Sequence, residues 1–276
     1  MFRTQKMDLI PTRVGNTDAL LVDTPGFNDS FRSDGDILVQ ISAALCIQYR
    51  CNINLKGVVY LHNITQNRIT GSALRQLELF RRMCGDENLS HVLLVTTQWN
   101  EHFTSRWEDH EDQLRDEYWA DMILKGAKCM RFEGTRGSAA SCISQLLGEQ
   151  RAVLALQREI VDERRKLSDT VAGMYAARMR SAMQEEYQNL KSNPIPQFNS
   201  QQRLKDLEKS LDTSRSDKEK LKQDVVGNVD GLVEKAVTEE KKKRGRRPSA
   251  VNIVSWLLGL VSVGVNLGAL IAGFAG

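Results

Sequence analysis

Three short runs of continuous apolar residues constrain this chain more than anything else in it. They are Gly57-Val58-Val59-Tyr60-Leu61, Val92-Leu93-Leu94-Val95-Thr96 and Cys129-Met130-Arg131-Phe132. Each is too short for a buried helix and lacks the polar alternation of a half-buried strand, so each reads as a strand covered on both faces. Helical stretches stand between and after them: Ser72–Met83 with Leu74, Leu77 and Phe80 inward, Trp107–Leu124, and Ser138–Leu147. This alternation specifies an α/β fold with a parallel sheet, whose sites lie in loops at the carboxyl ends of the strands. Upstream, Lys6–Val14 and Ala19–Val22 flank Gly15-Asn16, a hairpin signal. A helix follows over about Asp34–Tyr49, apolar at Ile37, Leu38, Ile41, Leu45 and Ile47.

Composition then changes twice, which divides the chain into residues 1–149, 150–248 and 249–276. The middle part is charged, helical and almost free of strand signals. It pauses at Pro194-Ile195-Pro196 and resumes near Ser200, where Leu204, Leu207 and Leu211 suit one helix face. The pattern lapses before Leu221, which leaves a short coiled coil or a helix lying on the first domain, and argues against a long coiled coil. This part ends in Lys241-Lys242-Lys243-Arg244-Gly245-Arg246-Arg247, which holds six of the 38 basic residues. The remaining 32 face 35 acidic ones, so the net charge of +3 comes from this run, which argues against a nucleic-acid binder whose whole surface is basic. The five cysteines include no CxxC pair and read as reduced thiols.

Val251–Gly276 contains no charged residue. As a helix, 26 residues rise about 39 Å against roughly 30 Å of hydrocarbon. Asn252, Ser255, Gly259, Ser262, Asn266 and Gly273 fall on one narrow stripe, and Gly264/Gly268 adds a GxxxG. The segment reads as a C-terminal membrane helix with a helix-packing face. The basic run before it then lies on the cytosolic side. Its alternatives are an apolar helix docked on the protein itself and, for the basic run, a nuclear-import or nucleic-acid patch.

Asp23-Thr24-Pro25-Gly26 follows the hairpin. In a DxxG loop the Asp can hold a water on Mg²⁺ and the Gly lets its amide approach a γ-phosphate, although the same spacing also occurs in plain turns. Four blocks come in one order: Asp23-Thr24-Pro25-Gly26-Phe27-Asn28-Asp29; Tyr60-Leu61-His62 ahead of Gly71-Ser72-Ala73-Leu74-Arg75; Leu93-Leu94-Val95-Thr96-Thr97-Gln98-Trp99; and Arg131-Phe132-Glu133-Gly134-Thr135 with Ser138-Ala139. Over about residues 1–170 this order resembles the single-G-domain P-loop GTPases common in fungi, relatives of septins and immunity-associated GTPases. The resemblance implies a G-domain that binds GTP/GDP and Mg²⁺ and self-associates, through that domain or through the membrane helix. It implies that Asp23 is the magnesium-side acid acting through water, and that Thr24 and Gly26 belong to the second switch. Thr97, Trp99 and Asn100 occupy the base-recognition loop, and Ser138-Ala139 lie under the base, with a backbone N–H on the guanine oxygen.

The chain departs from that family pattern twice. Thr97-Gln98-Trp99-Asn100 stands where relatives carry TxWD, and Asn offers one acceptor where Asp offers two. The alternative for this loop is a surface turn in which Trp99 packs. No GxxxxGK[ST] occurs in the chain, and the first switch is missing with it. The expected fold is therefore an incomplete P-loop NTPase sheet without its central first strand, followed by a helical extension and a hydrophobic helix. A shortened N-terminus, from a misassigned start, is the simplest cause; a degenerate G-domain is the other. The functional expectation is a membrane-associated GTP-binding switch with its G-domain facing the cytosol, unable to hydrolyse GTP as the chain stands. The alternative is a non-catalytic pseudo-GTPase tethered to a membrane as a helical interaction module. His102 and His110 lie amid Glu101, Glu108 and Glu111, and read as an exposed acidic helix start in preference to a metal site. Met174, Met179 and Met183 read as core or lipid-facing packing.

Overall fold

The Gly15-Asn16 turn closes a hairpin between β1 (Asp8–Val14) and β2 (Thr17–Asp23). Gly15 has a φ of +59° and Asn16 a negative one, the pattern of a type II′ turn whose twist matches the strands it joins. The hairpin is seen in a computed structural model, which describes residues 8–26, 34–66, 69–99, 105–192 and 198–213 and single positions between 225 and 238. After α1 (Asp34–Arg50) the chain alternates β3 (Val58–Asn63), α2 (Gly71–Cys84), β4 (Val92–Thr97), α3 (Ser105–Gln113), α4 (Ala120–Leu124), β5 (Lys128–Arg131) and α5 (Arg136–Leu147). The expected mixed α/β architecture with a parallel sheet is present. The described residues gather into two compact units. One holds Leu9–Leu21 and Ile53–Leu156; the other holds Val22–Asn52 and the described residues from Gln157 onward.

In the first of these, β3, β4 and β5 form a three-stranded parallel sheet in that order. Val58 pairs with Val92 and Asn63 with Thr97 across β3–β4, and Leu93 pairs with Lys128 and Thr96 with Arg131 across β4–β5. The middle strand is buried on both faces, with Val92, Leu93, Leu94 and Val95 all at 1% exposure or less. Full burial of such side chains is worth about 1.5–3 kcal/mol each, which makes β4 the anchor of the unit. On one face Tyr60 of β3 packs against Phe80 of α2, with ring centroids 5.1 Å apart, and against the edge of Trp119 at 6.5 Å. On the other, Leu93 and Val95 pack against Cys142 and Leu146 of α5, with Met130 and Phe132 beside them.

Two departures from the sequence reading have physical causes. Residues 107–124 do not form one helix. The Trp119 amide donates to the Leu114 carbonyl at 2.7 Å, closing a π turn over Leu114–Tyr118 between α3 and α4. The extra residue turns Trp119 inward, where it is 1% exposed. The second departure concerns coverage. The face that α5 covers over β4 continues onto β3 as Val59 and Leu61, but these are 40% and 65% exposed. β3 is an edge of its sheet among the described residues, and β1–β2 form a separate sheet, so β2 and β3 are not paired.

The second unit is helical. α1 packs against α7 (Val171–Ser192) and against a π turn, Arg158–Asp162, that continues the short α6 (Ala155–Gln157). The Gln157 side-chain amide donates to the Leu45 carbonyl at 2.9 Å and to Gln48 Oε1 at 2.6 Å, and the Tyr49 hydroxyl donates to Asp162 at 3.0 Å. α8 (Phe198–Thr213) lies beside α7, joined by a bidentate Arg203–Glu186 pair at 2.7 and 2.9 Å, with Leu207 buried. Of the three methionines expected to pack, Met174 is exposed, and Met179 and Met183 are half-buried. The apolar segment 249–276 and the basic run 241–247 lie outside the described residues. Among the described residues no helix is long and apolar enough to cross a membrane.

The start of α7 is a tight turn. Thr170 Oγ1 donates to the Leu167 carbonyl at 2.8 Å and accepts from the Gly173 amide at 3.0 Å, while the buried Glu159 carboxylate accepts from the Val171 amide at 3.2 Å. Any Cβ at Gly173 would collide with the Leu167 carbonyl, a backbone group that cannot swing aside. Gly173→Ala is therefore expected to destabilise the protein by about 1–3 kcal/mol or more, read as a lower urea midpoint. An unchanged midpoint would show that the turn relaxes freely.

Candidate functional site

Parallel strands present their last residues at one end of the sheet, and here three polar ones share a register. His62 of β3 pairs with Thr96 of β4, and Thr96 with Arg131 of β5. α3 adds two more from the same side. His110 Nε2 lies 3.4 Å from His62 Nε2, and Glu111 accepts from Thr96 Oγ1 at 2.8 Å and from Arg131 Nε at 2.7 Å. His62, Thr96, His110 and Glu111 are all buried. The reading of His110 and Glu111 as an exposed helix start is thus corrected. Trp107, His110, Glu111 and Leu114 fall at i, i+3, i+4 and i+7, the inward face of α3, and that spacing was the signal to follow.

The loop after β4 is tied to this cluster. Trp99 Nε1 donates to Thr96 Oγ1 at 3.0 Å, the Arg131 guanidinium lies 4.2 Å over the Trp99 ring, and Trp107 meets Trp99 edge-on at 6.2 Å. Thr97 Oγ1 donates to the His62 carbonyl at 3.2 Å, and the Thr97 carbonyl accepts from the Ile64 amide at 3.1 Å. Between Thr97 and Trp99, Gln98 takes a φ of +69°. A left-handed conformation costs a non-glycine residue about 1–2 kcal/mol, so the flanking bonds hold the loop in a shape the backbone alone disfavours. The Glu111 contact holds the Arg131 guanidinium pKa above its ordinary value. The position of Asn100 lies outside the described residues.

Ser138 and Ala139, read from the sequence as the start of the closing helix, sit inside the first turn of α5, which begins two residues earlier at Arg136. Thr135 caps that helix in a capping box with Ser138. The Ser138 amide donates to Thr135 Oγ1 at 3.1 Å and the Ala139 amide to the Thr135 carbonyl at 3.0 Å. The first two amides of the turn belong to Arg136 and Gly137, which have no carbonyl partner within the helix. Thr97, Trp99, Ser138 and Ala139 belong to the sheet-bearing unit; Asp23, Thr24 and Gly26 belong to the helical one. Asp23 is exposed at the end of β2, Pro25 is buried, and a Cβ at Gly26 would meet no atom within 4 Å.

Among the described residues no group of three or more His, Cys, Asp or Glu side chains is placed to hold a metal ion. Asp23 by itself is not a magnesium site, and would take part in one only together with phosphate oxygens from a ligand. The five cysteines are free, and burial pushes Cys46 and Cys84 up to about 12, far from a reactive thiolate. What the cluster does offer is an aromatic and cationic surface, Trp99 with Arg131, fixed on buried polar supports. No protein-family model matches the chain. No curated protein matches it in sequence.

Burial, and then the neighbouring His110, lower the His62 pKa to about 4, and burial lowers that of His110. The His62 ring therefore stays neutral in the folded protein down to about pH 4, while an unfolded histidine takes up a proton below about 6.5. The fold binds fewer protons there, so stability falls as pH drops from about 6.5 toward 4 and levels off below. The contribution lost at His62 over that range is about 3 kcal/mol. Urea midpoints of wild type and His62→Gln, followed from pH 7.5 to 4.5, are expected to converge as the pH falls. Parallel curves would show that His62 does not carry the effect.

Proposed function

We propose that this chain is a membrane-associated guanine-nucleotide-binding switch protein of the P-loop GTPase class, with its G-domain facing the cytosol. One observation carries the reading. The loop Thr97-Gln98-Trp99 and the turn at Glu133–Ser138 follow adjacent, paired parallel strands, β4 and β5, and so open at the same end of the sheet. These are the two segments that the family resemblance assigns to the base. A ligand carbonyl meeting the turn would find the Arg136 and Gly137 amides ahead of those of Ser138 and Ala139. The interruption between β2 and β3 falls where that family has its central first strand. The family resemblance alone assigns Asp23, Thr24 and Gly26 to the phosphate side, with Mg²⁺ brought in by the nucleotide. Self-association through the G-domain or the membrane helix belongs to the same reading.

A second reading rests on a different observation. The 276 residues contain no GxxxxGK[ST], and the α7–α8 pair presents long exposed polar faces. These features suit a non-catalytic pseudo-GTPase that acts as a tethered interaction module. In both readings the neutral segment 249–276 holds the protein to a membrane, with the basic run 241–247 at the headgroups. After carbonate extraction the full chain is expected in the membrane fraction and residues 1–248 in the soluble one. Release of the full chain would end the anchoring proposal.

Nucleotide binding has its own test. The full chain is expected to bind GDP weakly and to release no phosphate from GTP. Asn100→Asp restores a second acceptor for the guanine N–H groups and is expected to tighten GDP, but not ADP, by about 1–3 kcal/mol. Equal effects on both nucleotides, or GTP turnover by the unaltered chain, would contradict this assignment. Calorimetry and a phosphate-release assay read the two outcomes.

A further inference from the structure

Trp99, Thr96, Glu111 and Arg131 form a closed ring. The indole N–H donates to the Thr96 hydroxyl, which donates to Glu111, which accepts from Arg131, whose guanidinium lies back over the indole. The members come from β4, the loop after it, α3 and β5. Glu111 and Thr96 are buried, whereas Trp99 is only half-buried and Arg131 is exposed. A buried carboxylate with an arginine contributes little net stability compared with apolar packing, so what such a pair supplies is geometry. Here it fixes an aromatic side chain at the surface. The indole is set by its N–H bond, by the cation over its face and by the Trp107 edge, and its rotamer freedom is gone before any ligand arrives. A planar ligand stacking there meets no ordering cost from Trp99.

We propose that Glu111 and Arg131 are positioning residues for a purine base. They hold Trp99 as a preset stacking wall at the carboxyl ends of β4 and β5, and the base lies against the exposed part of the Arg131–Trp99 pair. This inference rests on the nucleotide reading above and adds the residues that set base affinity. Glu111 acts through Arg131, and Thr96 closes the ring by joining the indole N–H to the carboxylate. Thr96→Ser preserves that link and Thr96→Val removes it.

The experiment uses the full 276-residue chain in detergent, with GDP and magnesium as the probe. The chain has four tryptophans, so each protein is paired with its Trp99→Phe counterpart and the difference gives the Trp99 emission. Glu111→Gln and Thr96→Val are expected to shift Trp99 emission to the red, lower its anisotropy and weaken GDP roughly fivefold or more. Thr96→Ser should behave as wild type in both respects, a rescue that a general loss of packing would not produce. GDP affinity unchanged in Glu111→Gln overturns the positioning role, whatever the emission does. If the unaltered chain binds no GDP while Glu111→Gln still shifts Trp99 emission, the nucleotide reading fails and the base-binding role fails with it. If GDP binds normally and the emission never moves, the ring alone is disproved.

Discussion

The burial of β4 on both faces is the constraint on which the rest of the sheet-bearing unit depends. A strand with no polar side chain before Thr96 can exist only between two layers, and α2 with the α3–α4 segment on one side and α5 on the other supply them. Once β4 is fixed, its parallel neighbours are fixed in register with it, and the ends of all three strands come out together. The polar residues at those ends inherit positions set by apolar packing several residues earlier. His62, Thr96 and Arg131 therefore need no side-chain network to find one another. The network with His110 and Glu111 orients side chains that the sheet has already brought near.

That division of labour explains why polar groups are tolerated so deep. Each of Thr96, His62, His110 and Glu111 has a partner within hydrogen-bond range, so the desolvation of one is offset by contact with the next. The arrangement is specific because it is demanding. A hydroxyl, a carboxylate and two imidazole rings must all be placed at once for each to find its partner. The strained backbone at Gln98 belongs to the same local order, since the residues on either side of it are the ones held to β3 and to Thr96.

Much of the fold was legible in the sequence because its signals were local. Every apolar run became a strand within a residue or two, and Gly15-Asn16 turned where a glycine with positive φ was required. The failures came from long-range physics. A period of 3.6 gives no warning of a one-residue π turn, so residues 107–124 read as one helix. Charge counting made His110 and Glu111 look exposed, because their partners lie 15 to 48 residues away in sequence. α5 starts two residues ahead of the Ser138 boundary read from the sequence, because Thr135 caps it, with Ser138 as its capping partner. The uncovered Val59 and Leu61 show the limit of the inference from apolar run to covered strand: hydrophobicity states a requirement and does not supply the layer that meets it.

The π turn at Leu114–Tyr118 carries a consequence for how this segment tolerates changes in length. A regular helix advances about 100° per residue, so one added residue swings everything beyond it by that angle. Deleting a single residue between Leu114 and Tyr118 would leave a better-formed helix and carry Trp119 off the sheet, away from Tyr60 and His62. The same deletion in an exposed loop would pass almost unnoticed. The irregularity is thus a counting device, in which local helical order is given up so that one large side chain points the right way.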